Sequence, residues 1–328
     1  MYSNVARSDE YKRRLLEFVR CEYGMEAVGI TPAKRGFYGE TWRLDTADAS
    51  YFLKLVYAAV HKDVYERSFP VVQHLCDHGI DFISRIVKAR DGGLSTRFDG
   101  AVLGLFDWID GENIETDATK FPEYQMLAKV YAVPSRGLFV PREDFSDKSA
   151  AAFFKQWNAL GAGDLPQTET QLLFLLEKNR AKIEHRAGRL RRFADLCQAQ
   201  GKDQVQDQNK GCAEGFFITH GDAGGNFIVS DDRHFIVDWD NPVLAPPERD
   251  AWVMCGHAWA RDAFQNALRQ NGIAYTLRPE RLAYYCYHYF FFYLTSFLDG
   301  FTRGGAVQEI EEFFDGWIER SFEYADRI

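Results

Sequence analysis

The chain has 328 residues, 46% apolar and 27% charged, which excludes a disordered segment, a collagen-like repeat or a coiled-coil rod and exceeds what one core usually supports. Its 39 Lys and Arg stand against 48 Asp and Glu, a net charge of −9: the wrong sign for a protein that lives on nucleic-acid phosphates, and a favourable one for a small cationic partner. Six scattered cysteines, with no C-x-x-C pair and no His at zinc spacing, read as reduced thiols of a cytoplasmic protein, and the polar start MYSNVARSDEYKRR shows no export signal.

In chain order, residues 9–22 put Leu15, Leu16, Phe18 and Val19 on one helical face, with Gly24 as a stop. Strand-like runs follow at 27–30, 41–44 and 51–56, then a helix over 63–78 ending at Gly79. Further strands are expected at 82–89, 94–98 and 101–109, joined by the turns Asp91-Gly92-Gly93 and Asp99-Gly100. Beyond Gly111 the texture turns helical: 118–132, 149–160, and a long amphipathic helix over 170–199 lined by Leu172, Leu176, Ile183, Leu190 and Phe193. The basic residues of that helix read as a solvated, partly paired face. Residues 282–298, LAYYCYHYFFFYLTSFL, are too short and too rich in Tyr and Phe for a membrane span and read as a buried helix.

The densest chemical signal is FFITHGDAGGNFIVSDDRHFIVDWDNPVLAPPERD, residues 216–250. A buried strand at 216–219 leads into the glycine-rich loop from His220 to Asn226. A short strand runs out at 227–229 and another returns at 234–237, which brings Asp238 back beside Asn226. Asp222, Asn226 and Asp238 thus converge at one end of a hairpin. Two carboxylates and an amide oxygen suit a magnesium ion that keeps water and nucleotide phosphates as its other ligands. Phosphoryl transfer asks for such a group: Asp222 fits the base, Asp238 and Asn226 the metal.

The segment resembles the catalytic core of the aminoglycoside phosphotransferase and choline kinase family, a branch of the protein-kinase-like fold; its tail, DWDNPVLAPPERD, is most similar to that of the spectinomycin phosphotransferases. The resemblance implies that Asp222 is the catalytic base, that Asn226 and Asp238 hold magnesium, that His220 and Asp250 brace the loop, and that Asp240 assists near the metal. One departure stands out. The family usually places four residues between the loop Asp and Asn, and here there are three, Ala223, Gly224 and Gly225.

The N-terminal sheet supplies the complement that the family requires. In YFLKLV, Lys54 sits among apolar residues, a costly place for an ammonium unless paired, and in this family that Lys holds the α- and β-phosphates. Its expected partner is Glu66 on the next helix, with Asp63 as runner-up; Pro70 is awkward inside that helix. Residues 35–41 form the phosphate-covering turn, with Gly36, Tyr38 and Gly39, and lack the G-K-[ST] of a Walker A loop. The strand 101–109 is expected to end in a hinge where the backbone of Asp107 and Ile109 reads the adenine edge between Phe106 and Trp108.

The expectation is therefore an α+β, bilobal, protein-kinase-like fold: an N-lobe over 1–108 with an antiparallel sheet and one helix, and a larger, mainly helical C-lobe over 109–328. It implies an ATP- and magnesium-dependent kinase that phosphorylates a hydroxyl of an aminocyclitol- or aminoglycoside-like, cationic molecule, with neither nucleic acid nor membrane as partner. A housekeeping metabolite kinase and a nucleotide-binding pseudokinase are the alternatives. Only ten positions separate Asp238 from Glu248, too few for the peptide-docking segment of a protein kinase. The acidic residues Glu309, Glu311, Glu312 and Asp315 are candidates to face a cationic substrate, although a solvated helix face explains them as well.

Overall fold

Ser8 caps the first helix, α1 (Asp9–Tyr23): its hydroxyl accepts from the Tyr11 amide at 3.2 Å, Asp9 and Glu10 sit at the positive end of the helix dipole, and Gly24, at φ 74°, ends it. The computed structural model describes residues 7–34, 39–160, 167–204, 215–231, 233–302, 307–316 and 318–328. After α1 come β1 (Ala27–Pro32), β2 (Glu40–Thr46), β3 (Ser50–Val56), α2 (Ala59–Asp77), β4 (Thr96–Phe98), β5 (Ala101–Asp107) and β6 (Glu112–Asn113). Then follow α3 (Lys120–Tyr131), α4 (Lys148–Leu160), α5 (Gln167–Lys178), α6 (Arg180–Gln204), β7 (Phe217–Thr219), β8 (Phe227–Ser230), β9 (Arg233–Ile236) and β10 (Val243–Ala245). The chain ends in α7 (Glu248–Ala251), α8 (Ala258–Gln270), α9 (Pro279–Thr302), α10 (Val307–Asp315) and α11 (Ile318–Ala325). Among the described residues no helix is long and apolar enough to cross a membrane.

Two compact units result, Met1–Pro141 with His220–Val243, and Arg142–Thr219 with Leu244–Ile328. The first is built on an antiparallel sheet in the order β1-β2-β3-β5-β4. One face carries Trp42, Leu44, Leu53, Leu55, Leu103 and Leu105, packed with Tyr11, Leu15 and Val19 of α1. The other carries Val56, Val102 and Phe106 against Tyr65 and Phe69 of α2. The strand period of two puts Lys54 on the α2 face, paired in register with Thr41 and Gly104. Gly104 is needed there, because a Cβ would lie 2.6 Å from both the Tyr65 hydroxyl and the Phe69 ring. A second sheet, β6-β8-β9, completes this unit.

The second unit is mainly helical, with a two-stranded sheet formed by β7, at the end of its first chain segment, and β10, at the start of its second. Its centre is α9, whose Tyr284, Tyr285, Tyr287, Phe290 and Phe291 are fully buried against α4, α6 and α11.

Two expectations are corrected. Residues 82–89 form no strand: Phe82 and Ile83 are both buried, which breaks the alternation of a strand, and the Phe82 carbonyl accepts from Ile236 of β9. Only an isolated bridge, Ile86 to Phe106, ties them to β5 in ladder fashion. The helix expected over 170–199 is two, because the Asn179 side chain donates to the Leu175 carbonyl at 3.0 Å and ends α5. The first unit extends past residue 109 and includes His220–Val243. Pro70, by contrast, lies inside an uninterrupted α2.

Two predictions follow from this packing. Gly104→Ala forces Tyr65 and Phe69 apart and should cost about 1–3 kcal/mol, read as a lowered urea midpoint. In the second unit, Glu248 is completely buried, accepts from the Tyr275 hydroxyl and the Arg278 amide, and is pushed up to about 7 by burial. A raised carboxyl pKa favours folding below the unfolded value, and that contribution is lost as pH climbs to the folded value. Glu248→Gln removes the titration, so its thermal stability relative to the parent should rise between pH 5 and pH 8, by at most about 3 kcal/mol; a pH-independent difference would refute the buried carboxyl's role.

Candidate active site

The hairpin of β8 and β9 closes where the sequence reading places its chemistry. The Val237 amide donates to the Asn226 carbonyl at 3.0 Å, so Asp238 follows directly beside Asn226. Asp238 sits at φ 62°, a left-handed backbone that residues with side chains rarely adopt. His220 links both sides of the hairpin: its Nδ1 accepts from the Asp222 amide at 3.1 Å, which leaves Nε2 to donate to the Val237 carbonyl at 2.8 Å. The Asn226 side-chain nitrogen donates to the Asp222 carbonyl at 2.8 Å and approaches its carboxylate at 3.4 Å. A one-residue-shorter loop therefore still brings Asn226 onto Asp222.

Lys54 joins this group from β3. Its side chain is 6% exposed, and its ammonium meets Asp238 Oδ1 at 2.6 Å and Asp240 Oδ2. The partners are 37% and 31% exposed. Desolvation works against the Lys54 charge, but Asp238 and then Asp240 outweigh it and raise the ammonium's pKa. Desolvation likewise opposes ionisation of Asp238, and Lys54 overcomes it, holding Asp238 below the usual carboxylate range. Asp240 is pushed up to about 7 by desolvation and by the charge on Asp238. The cluster thus prefers one ammonium with one carboxylate firmly ionised. Asp222, though its side chain reaches solvent, is also pushed up to about 7, by desolvation among surrounding protein and then by Asp238 and Glu115.

The remaining expected residues fall out as follows. Glu66 does not reach Lys54. Tyr65 takes the α2 position beneath the ammonium, 5.6 Å from the ring centre, and Glu66, one residue further round the helix, pairs with Arg97 at 2.7 Å. Asp63 is exposed. Gly39 lies against Lys54, where a Cβ would sit 3.0 Å from its Cε. Gly36 and Tyr38 lie outside the described residues. Asp107 does not offer its backbone N–H to a ligand: that group donates to the Arg85 carbonyl at 2.9 Å, while its carbonyl accepts the Ser84 hydroxyl at 2.6 Å. Ile109 follows in the half-buried stretch after β5. Phe106 stacks on Phe69, whereas Trp108 carries the Arg43 guanidinium over its ring. Asp250 is buried on α7 of the second unit. Glu311 and Glu312 are exposed on α10; the side chains of Glu309 and Asp315 lie outside those described.

The family model of the phosphotransferase enzyme family, APH, matches residues 29–285. The chain belongs to that family. Solved structures agree on the fold of this phosphotransferase. A spectinomycin phosphotransferase in complex with ADP and spectinomycin matches 95% of this chain and 98% of its own, with a TM-score of 0.69 and 18% identity. A choline kinase from Cryptosporidium parvum matches 96% of this chain and 94% of its own, with a TM-score of 0.59 and 10% identity. A macrolide 2'-phosphotransferase from Brachybacterium faecium matches 92% and 96%, with a TM-score of 0.55 and 12% identity. No curated protein matches the sequence significantly. As a member of this family the chain is a phosphotransferase.

Several residues of the site carry no signal that sequence reasoning picks up. Arg249 is buried and donates from Nη1 to the Thr219 hydroxyl at 3.0 Å and carbonyl at 3.2 Å, anchoring β7 just before the loop. Glu40, next to Gly39, accepts from Arg7 at 2.6 Å and from the Trp42 indole at 2.8 Å, so the start of β2 is tied to the chain ahead of α1. An Arg in a Pro-rich turn and a Glu at a strand's start look like surface residues until their partners are known.

Lys54→Met leaves Asp238 and Asp240 facing each other without a counter-charge, whereas Asp240→Asn keeps the Lys54–Asp238 pair. The first should be the more destabilising by about 1–3 kcal/mol in urea unfolding; equal effects would show that the ammonium is not what holds the carboxylates.

Proposed function

We propose that this phosphotransferase moves the γ-phosphoryl group of ATP onto a hydroxyl of a small cationic molecule of the aminocyclitol or aminoglycoside class, in the cytoplasm. The observation that carries the reading is the meeting of Lys54 with Asp238 and Asp240 in the same hydrogen-bonded framework that holds Asn226 against Asp222. The ADP and spectinomycin held by one relative of the same fold favour ATP and an aminocyclitol, and the net charge of −9 favours a cation.

Lys54 offsets charge on the α- and β-phosphates, Gly36, Tyr38 and Gly39 are the residues assigned to cover them, and Ile109 takes the adenine edge. Asp222 accepts the proton of the acceptor hydroxyl as its oxygen attacks phosphorus. His220 holds the loop in register through its two ring nitrogens, and Asp250 supports it. Magnesium suits the donor set: Asn226 spends its side-chain nitrogen on Asp222, so its oxygen remains to donate, and Asp238 adds a hard carboxylate. Bound there, the ion would neutralise charge on the phosphate oxygens. Asp240 shares Lys54 with Asp238 and keeps the ammonium aimed at this place.

The test is release of ADP from ATP with spectinomycin, kanamycin and choline as acceptors. Turnover should appear with an aminocyclitol or aminoglycoside; turnover with choline alone would replace the acceptor class. Asp222→Asn should lower kcat about 100- to 10,000-fold with nucleotide affinity little changed, and Asp238→Ala should abolish magnesium-dependent nucleotide binding in a folded protein. An Asp222→Asn enzyme that only raises KM is not missing its base.

A further inference from the structure

The loop from Asp222 to Asn226 is short and glycine-rich, so it has little of its own to hold it in shape. A single 3-10 turn, with the Asn226 amide donating to the Ala223 carbonyl at 3.0 Å, gives it what internal order it has. The rest comes from the stretch between Gly111 and Glu123, to which the sequence reading gave no role. Gly111 approaches β8 so closely that a Cβ would lie 2.5 Å from the Val229 carbonyl oxygen, and its φ of 154° is one that side chains disfavour. Asn113 donates from its side-chain nitrogen to the loop carbonyl of Gly225 at 3.1 Å and to that of Phe227, the first residue of β8, at 2.9 Å.

Lys120 completes the contact. Its side chain is 4% exposed, and its ammonium is shared between Glu115 Oε1 and Glu123 Oε2, both at 2.9 Å. Gly224 rests directly on this ammonium: a Cβ there would lie 2.5 Å from Lys120 Nζ and 3.0 Å from Glu115 Oε1. Gly225, the next residue, would place a Cβ 3.2 Å from Asp222 Oδ1. A buried cation, lying under a glycine two residues past the loop aspartate, is thus the floor on which the loop lies.

As a device for stability alone this is a poor choice. Lys120 is the first residue of α3, where the helix dipole disfavours a positive charge, and an apolar residue of similar volume serves a buried position as well as an ion pair does or better. A charged group retained under one of the loop's two glycines makes sense if its value lies in where it puts that loop.

We propose that residues 111–123 form a splint for the Asp222 loop, with Lys120 and Asn113 as positioning residues that set the Asp222 carboxylate for proton acceptance. The proposal rests on the reading of Asp222 as the base. Neither residue reacts; each acts through the loop backbone, so the loss should appear in kcat and not in nucleotide KM.

The experiment uses the full chain, ATP as donor and spectinomycin as acceptor, with background ATP hydrolysis as a second readout. The double variant Lys120→Met/Glu123→Leu avoids leaving a buried carboxylate unpaired. Its kcat should fall about 10- to 100-fold, the effect of a misplacement near 1 Å, while KM for ATP stays within about twofold and the thermal midpoint is kept or raised. Asn113→Ala, at an exposed position, serves if the double variant does not fold, and should lower kcat with KM likewise unchanged. Gly224→Ala should reproduce the loss in the parent and add little to it in a Lys120→Ala background, since both changes act through one contact. Unchanged kcat in folded Lys120→Met/Glu123→Leu, or in Asn113→Ala, overturns the splint while the base assignment stands. A parent enzyme whose turnover does not depend on Asp222 overturns both.

Discussion

An ammonium withdrawn from water costs several kcal/mol unless negative charge meets it, and Lys54 is withdrawn almost completely. It lies on the central strand of a five-stranded sheet, with Tyr65 beneath it and Gly39 leaving it room. The charge it needs does not come from its own half of the unit. It comes from Asp238 and Asp240, 184 and 186 residues further along the chain. This cluster ties the N-terminal sheet to the returning segment His220–Val243, alongside the β6–β8 pairing and the Ile236–Phe82 hydrogen bond, within a single unit. Phosphate chemistry needs the same arrangement, a fixed cation beside a carboxylate that a second cation can share.

Around that cluster, backbone and side chain divide the work. Glycines occur where two pieces of chain approach closely: Gly39 on the Lys54 stem, Gly104 under Tyr65 and Phe69, Gly224 on the Lys120 ammonium. Hydrogen bonds to backbone then hold the approach, through His220 to Val237, Asn226 to Asp222 and Asn113 to Gly225. Asp238, at its left-handed φ, is the one place where the hairpin stores local strain beside the chemistry. Only three residues separate Asp222 from Asn226, and the splint beneath the loop is part of how so short a loop keeps its ends together.

Much of this was legible before any coordinates. The alternation of YFLKLV marked β3 and made a lone Lys conspicuous, and the short strands on either side of the Ser230–Arg233 turn returned Asp238 to Asn226 because out-and-back distances in a hairpin must match. What failed did so where the partner decides. Glu66 is in the right helix but one residue round from the position facing Lys54, and a 100° step is enough to hand it to Arg97. Asp107 sits at the end of the expected strand, yet its N–H is claimed by Arg85 in a segment whose own strand character was overestimated.

The sequence by itself determined the elements and the chemistry they carry, because periodicity, glycine placement and residue type act over a few neighbouring positions. Tertiary structure alone decided which charges meet: that Lys54 takes Asp238 and Asp240 in preference to Glu66, that Arg249 secures Thr219, and that Lys120 lies under Gly224. Electrostatic pairing is a property of distance in space and of exclusion from water, and neither is written in the spacing of residues along the chain.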